Sequence, residues 1–478
     1  MTPVTAPSGA RDGRAHGQGR ATAPGRAGSK KATMVSALFS RGAALLAAGL
    51  VAGCTASSEE VQPQRGSIFF PTGLAVSPDE AFMFVASANS DLRFDSGTIE
   101  VADLAAIEQV VDAWKTAQTV PPGCAASTDE RRTLLCPTLG DVDLYVREAG
   151  VRTGNFAVAI GVQDVGGGNL RLIVPVRGDP SVTWIDWDGA SRRLRCSDAQ
   201  GFTVCDELHR LVHLRGDKNL PNLPAEPFGV YVDSLAEFAT VTHLSSGTVT
   251  LVDTPKTEPP VLADSITGLF APNGVNATGT SAVAGRKPGP DNVVYVQSNT
   301  EDRVQLISVA RPDVGFPFLI PTSYFFLESV IGQGGSSDSR GIAFAPDGNR
   351  AFMINRRPPS LQVFDTSLGL QGTPRNLFLG GTDICREASS VVAGDAGGGL
   401  RVFVSCFNDG EVYVIDPRAG AAVEAVATVG RGPFGLAISP TRQLLFVTNF
   451  LGDSLAVIDL DPASETLYRV VLRIGERS

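Results

Sequence analysis

The chain has 478 residues, 43% of them hydrophobic, and carries 40 Lys and Arg against 50 Asp and Glu, a formal charge of −10. That length and apolar content can bury a sizeable core. An acidic surface repels phosphate backbones, so nucleic acid is excluded as an expected partner.

Residues 1–33 are rich in Arg, Gly and Ala without hydrophobic period and read as a basic extension, or as upstream sequence if translation starts at Met34. Residues 41–54, RGAALLAAGLVAGC, hold an apolar stretch of about a dozen residues, too short to span a bilayer and suited to a signal peptide. Its end, Leu50-Val-Ala-Gly-Cys54, resembles the bacterial lipobox, which implies lipidation at Cys54 and removal of residues 1–53. By the same resemblance, Thr55 after the cysteine implies sorting to the outer membrane of a Gram-negative cell. Loss of residues 1–53 would leave 33 basic against 49 acidic side chains. Residues 54–65 are polar and aperiodic, a flexible tether. No later stretch approaches spanning length, so Cys54 lipid is the expected membrane contact.

From residue 66 a unit of three short runs recurs, each run alternating apolar residues at period two, as strands do. The first unit opens at Pro71-Thr-Gly-Leu-Ala-Val76 and closes at Ile99-Glu-Val-Ala-Asp103. The second is degenerate, through 154–160, 170–174 and 182–186. The others run through 227–253, 272–308, 340–365, 389–416 and 432–459. Variable stretches between units, such as 423–429 and 469–474, are long enough for a fourth, outer strand. Such a unit cannot bury its own faces and must stack on copies of itself. Seven units of four antiparallel strands predict an all-β, seven-bladed β-propeller over residues 66–478, closed where residues 68–70 meet the terminal strand. Asp ends the third run in six of the seven units and reads as a brace for the following turn.

Phe446-Val-Thr-Asn449 with Leu455-Ala-Val-Ile-Asp459 resembles the YVTN-type β-propeller repeat, and the resemblance covers most of the chain beyond residue 66. It implies the fold and an extracytoplasmic setting, and is nearly silent on activity.

Two insertions follow the first and second units, at about 105–150 and 188–224. The first begins with Ile107, Val110, Val111 and Trp114 at helical spacing. Besides Cys54 there are six cysteines, an even count that favours disulfides in an exported chain. Neighbours are expected to pair: Cys124–Cys136 within the first insertion, Cys196–Cys205 around a loop tip in the second, and Cys385–Cys406 across the hairpin of the sixth unit. His209 and His213 lie four apart but lack a third ligand, so no metal is expected, and no motif points to a cofactor.

The loops leading into the innermost strands carry Arg152, Arg340, Arg386 with Glu387, and Arg431. Arginines converging on a channel mouth suit a carboxylate, sulfate or phosphate, while the competing reading pairs them with Asp338, Asp383 and Glu387. His243 occupies the slot ending the second run, where Asn355 and Asn449 stand in other units. The functional expectation is a monomeric binding or scaffold module at the cell envelope for a protein, peptide or glycan. The alternatives are a lactonase-like hydrolase with a cation in the channel, and an accessory to a secretion or respiratory complex.

Overall fold

The computed structural model describes residues 61–137, 144–199, 201–269, 279–286, 293–328, 338–418 and 420–475. The leader, the lipidation site Cys54 and the opening run of the fourth unit, 272–275, lie outside them. Seven antiparallel sheets form the blades of a β-propeller. Their inner strands are Pro71–Val76, Gly161–Gly166, Pro227–Asp233, Thr280–Gly285, Ser339–Phe344, Ala388–Asp395 and Pro433–Ser439. Apolar clusters fill the spaces between neighbouring blades, as the period-two pattern requires of sheets buried on both faces. Phe84, Phe352, Phe403 and Phe446, each fully buried on a second strand, stabilise these spaces by about 1.5–3 kcal/mol apiece.

The glycine of the recurring phrase has a packing cause. A Cβ on Gly435 would lie 2.2 Å from Thr72 O of the adjoining blade, and one on Gly73 would lie 2.9 Å from Ala159 Cα. Inner strands crowd at the axis, and only a residue without a side chain lets the backbones approach.

A polar bond crosses each of the seven blade junctions near one rim. Thr72 Oγ1 donates to Ala157 O (2.7 Å), Arg177 pairs with Glu226 (2.5 Å), and His243 N–H donates to Thr280 Oγ1 (3.0 Å). Ser281 Oγ donates to Ser339 O, Arg356 Nε to Ala388 O (2.7 Å), Ser405 Oγ to Phe434 O (3.0 Å) and Thr448 Oγ1 to Thr72 O (3.0 Å).

The turn braces hold in four blades. Asp103, Asp365, Asp416 and Asp459 each accept a backbone N–H from two residues on. Asp186 and Asp253 instead pair with Arg171 and Arg311. Bonds from Arg418 take Asp416 down to about 2, overcoming the opposing effect of burial.

Two details correct the sequence reading. Residues 154–160 do not open blade 2. Val151–Thr153 is the fourth strand of blade 1, the chain turns at Phe156 with φ 60°, and the inner strand of blade 2 begins at Gly161. Closure also differs. The terminal strand Val470–Gly475 completes blade 7, and its free edge takes Leu134–Cys136 of the first insertion in parallel, Leu472 opposite Leu134. Residues 68–70 form no strand; Ile68 packs in the cluster that holds Ile474, and Phe70 N–H donates to Asp453 (2.7 Å). The helical spacing gives Leu104–Ala117, capped by Asp103, with Leu104, Ile107, Val111 and Trp114 buried against this seam.

Candidate functional site on the leading face

In six blades the first residue of the inner strand sits opposite the last residue of the second or, in blade 5, the last but one. The pairs are Pro71 with Ser87, Pro227 with His243, Thr280 with Ser298, Ser339 with Asn355, Ala388 with Cys406, and Pro433 with Asn449. The loops that lead into the inner strands therefore share one axial face with the turns after the second strands. We call it the leading face.

Blades 5 and 6 place a charged network there. Arg340 donates to Asp338 (2.6 Å), and Arg356 reaches Glu387 (3.0 Å) and the same Asp338 (4.0 Å). Arg356 was not singled out in the sequence, although it directly follows the Asn355 slot. Burial, then the neighbouring charge of Arg340, lowers its pKa from the ordinary arginine value. Arg357 and Arg386 are exposed, and among the described residues neither side chain has an ion-pair partner. Asp383, offered as a partner for this group, forms no ion pair among them either. Arg431, in blade 7, is exposed and lines a cleft of about 480 Å³ with Asp409, Arg473 and Glu130.

Two candidates lie elsewhere. Arg152 is on the outer strand of blade 1, nearly buried, 2.7 Å from Asp95 and donating through Nε to Phe202 O (3.1 Å). The shift in the second unit's register moved it from the axis to the rim. His243 is at the expected slot but wholly buried, with Nδ1 3.0 Å from Ala225 O and Nε2 2.9 Å from Thr250 Oγ1. Desolvation pulls it down to about 4, so it is a neutral, structural imidazole at ordinary pH. Asn355 and Asn449 act as loop braces, Asn355 accepting from Asp338 N–H (3.1 Å) and Asn449 donating to Val429 O (2.7 Å).

Cys124–Cys136, Cys196–Cys205 and Cys385–Cys406 are bonded as the spacing suggested. His209 and His213 do not share a helix; the first ends the short 3₁₀ turn Glu207–His209 and the second follows a two-residue strand. Among the described residues no group of three or more His, Cys, Asp or Glu is arranged to hold a metal ion.

No known protein family matches the chain, and no curated protein matches it in sequence. Solved structures do. A putative 6-phosphogluconolactonase of Bacteroides fragilis NCTC 9343 matches at 13% identity and TM-score 0.53, over 84% of this chain and 99% of its own. The periplasmic gluconolactonase of Pseudomonas aeruginosa matches at 15% identity and TM-score 0.51, over 76% of this chain and 86% of its own. The likeness is one of fold.

Proposed function

We propose that this chain is an extracytoplasmic, lipid-anchored propeller that binds an anionic group of an envelope protein, peptide or glycan on its leading face. The observation that carries the reading is the arginine crescent of blades 5 to 7. Arg340 and Arg356 are held in place by Asp338 and Glu387, while Arg357 and Arg386 point no charge at any acid of the described chain. Guanidinium groups so arranged suit carboxylate or phosphate oxygens. Three disulfides agree with an oxidising compartment. The lipobox resemblance at Leu50-Val-Ala-Gly-Cys54 supports the lipid anchor.

The test uses purified polygalacturonate and poly-L-glutamate as carboxylate probes on immobilised protein. Arg357→Glu with Arg386→Glu is expected to weaken capture at least tenfold and to flatten its salt dependence. Unchanged capture discards the crescent. Palmitate labelling with and without Cys54→Ala tests the anchor.

A lactone hydrolase is the second reading. It is supported by the fold shared with proteins described as gluconolactonases. General acid–base groups in a cleft are where its chemistry is sought.

A further inference from the structure

The second insertion builds a cleft on the outer rim, where the fourth strands of blades 1 and 2 come together. Its volume is about 340 Å³, and its lining includes Arg65, Glu148, Arg193, Arg195, Ser197 and His209. The sequence around His209 explains its posture. Asp206 caps the turn Glu207–His209, accepting the N–H groups of Leu208 (3.0 Å) and His209 (3.1 Å), and the same oxygen lies 2.7 Å from His209 Nδ1. Trp184 packs against the imidazole, ring centroids 4.1 Å apart and planes tilted by 33°. With Nδ1 turned to Asp206, Nε2 is the nitrogen left for the cleft, and among the described residues it has no hydrogen-bond partner.

Charged groups surround it. Burial raises the Asp206 pKa, but the bonds from the His209 ring and from the two backbone N–H groups outweigh it, so Asp206 remains a carboxylate. A carboxylate on Nδ1 fixes the tautomer that presents a lone pair at Nε2. Arg193 pairs with Glu148 (2.6 Å) and Arg195 with Asp188 (2.9 Å), both at solvent-exposed positions where such pairs exchange cheaply for a ligand. Among the described residues Arg65 meets the face of Phe202 (5.4 Å) and the field of Glu100.

We infer that this cleft is a hydrolytic site for a sugar-acid ester or lactone, with His209 Nε2 as the general base and Arg65, Arg193 and Arg195 holding the substrate's carboxylate and hydroxyls. The inference rests on the hydrolase reading and gives it a place. Water adds to the acyl carbon while its proton passes to Nε2. The tetrahedral oxyanion collapses, the acyl C–O bond breaks, and the departing alkoxide takes the proton back from Nε2. One water is consumed, a lactone yields one hydroxy acid, and the acid releases its proton to solvent. Asp206 is a positioning residue, acting through His209.

The experiment is a pH-stat assay of the full-length protein on saccharo-1,4-lactone, which bears a carboxylate, and on uncharged glucono-δ-lactone, with spontaneous opening subtracted. His209→Gln is expected to lower kcat by about 10²–10⁴-fold, the usual worth of a positioned base. Asp206→Asn is expected to lower kcat and to move the acid limb of the pH–rate profile, with KM unchanged. Arg193→Ala with Arg195→Ala is expected to raise KM for the carboxylate lactone and not for the uncharged one. His213→Gln, whose ring faces Asn222 (2.8 Å), leaves all of these unchanged. Hydrolysis retained within twofold in His209→Gln overturns the site and leaves the hydrolase reading standing. Absence of hydrolysis in the unmodified protein overturns both. Should near-ultraviolet circular dichroism show His209→Gln misfolded, the pH profile of Asp206→Asn decides.

Discussion

In blade 7 the fourth strand, Val470–Gly475, is buried along almost its whole length, while the fourth strands of blades 4 and 5, Phe318–Phe326 and Leu377–Asp383, stand largely open to solvent. All three are apolar. Leu377 and Leu379 are each 57% exposed and Phe326 55%, whereas Leu472 is fully buried beneath Leu134. The difference follows from where covalent continuity is missing. Blades 4 and 5 are tied to both neighbours by the chain itself, but blade 7 meets blade 1 without a linking segment and, among the described residues, without a strand contributed from the N-terminal side. The chain therefore places its helix and the Cys124–Cys136 hairpin across that seam. On the open rim Pro321 removes one backbone donor from the blade 4 edge, a common guard against strand pairing.

The comparison breaks most directly at Leu134. Leu134→Asp puts an unpaired carboxyl between blade 7 and the insertion and removes a fully buried side chain. A loss of about 4 kcal/mol or more in urea unfolding is expected. A loss under 1 kcal/mol would mean the added strand is ornament and the seam is held by its other contacts, among them Thr448 with Thr72 and Phe70 with Asp453.

Glu100 comes next in size and has the opposite sign. It lies in blade 1 beneath the returning insertion, where a Cβ on Gly150 would sit 2.5 Å from its Oε2, and it accepts Gly66 N–H (3.0 Å). Desolvation pushes it up to about 7 against the Gly66 bond and the Arg65 charge. A carboxyl raised in the folded state stabilises fully below about pH 4.5 and loses that contribution as pH climbs through 7. Glu100→Gln should then gain up to about 3 kcal/mol at pH 8, a gain that shrinks as pH falls toward 4.5. His243 slopes the other way. Its folded pKa of about 4 contributes stability present above about pH 6.5 and lost as pH falls through 4. Melting temperatures between pH 6.5 and 8.5 therefore isolate Glu100, and an unchanged slope in Glu100→Gln refutes the assignment.

At the axis the expected effect is smaller. Gly435→Ala brings a methyl group against Thr72 O at the same seam and should cost about 1–3 kcal/mol, while Gly398→Ala, with open space around it, should shift nothing measurable. Equal thermal shifts for the two would refute the crowding argument.

What could be read in the sequence was what is local and repeated. The period-two runs, the glycine near the start of several units, the turn-bracing Asp residues and the three neighbouring cysteine pairs each depend on residues close in the chain. What could not be read was long-range or unrepeated. Leu134–Cys136 pairs in parallel with a strand over 300 residues away, and no periodicity announces that. The blade 2 register was missed because 154–160 alternates like a strand, and only the left-handed Phe156 shows the chain turning. Of the site, position was more legible than environment. The slot ending the second strand located His243 correctly, but nothing local said that Ala225 and Thr250 would enclose it. The same slot rule, extended by one residue, would have found Arg356.

The smallest expected effect lies on the open rim. Leu379→Ser removes an exposed side chain from the edge of blade 5, so stability should move by less than about 0.5 kcal/mol, read by the same urea titration. Its consequence should appear in sedimentation instead, as less self-association at high concentration, because an apolar edge strand invites pairing with another chain. A destabilisation above about 1.5 kcal/mol would mean that this edge is covered in solution as blade 7's is. The contrast between the two rims would then reflect a missing neighbour rather than the position of the seam.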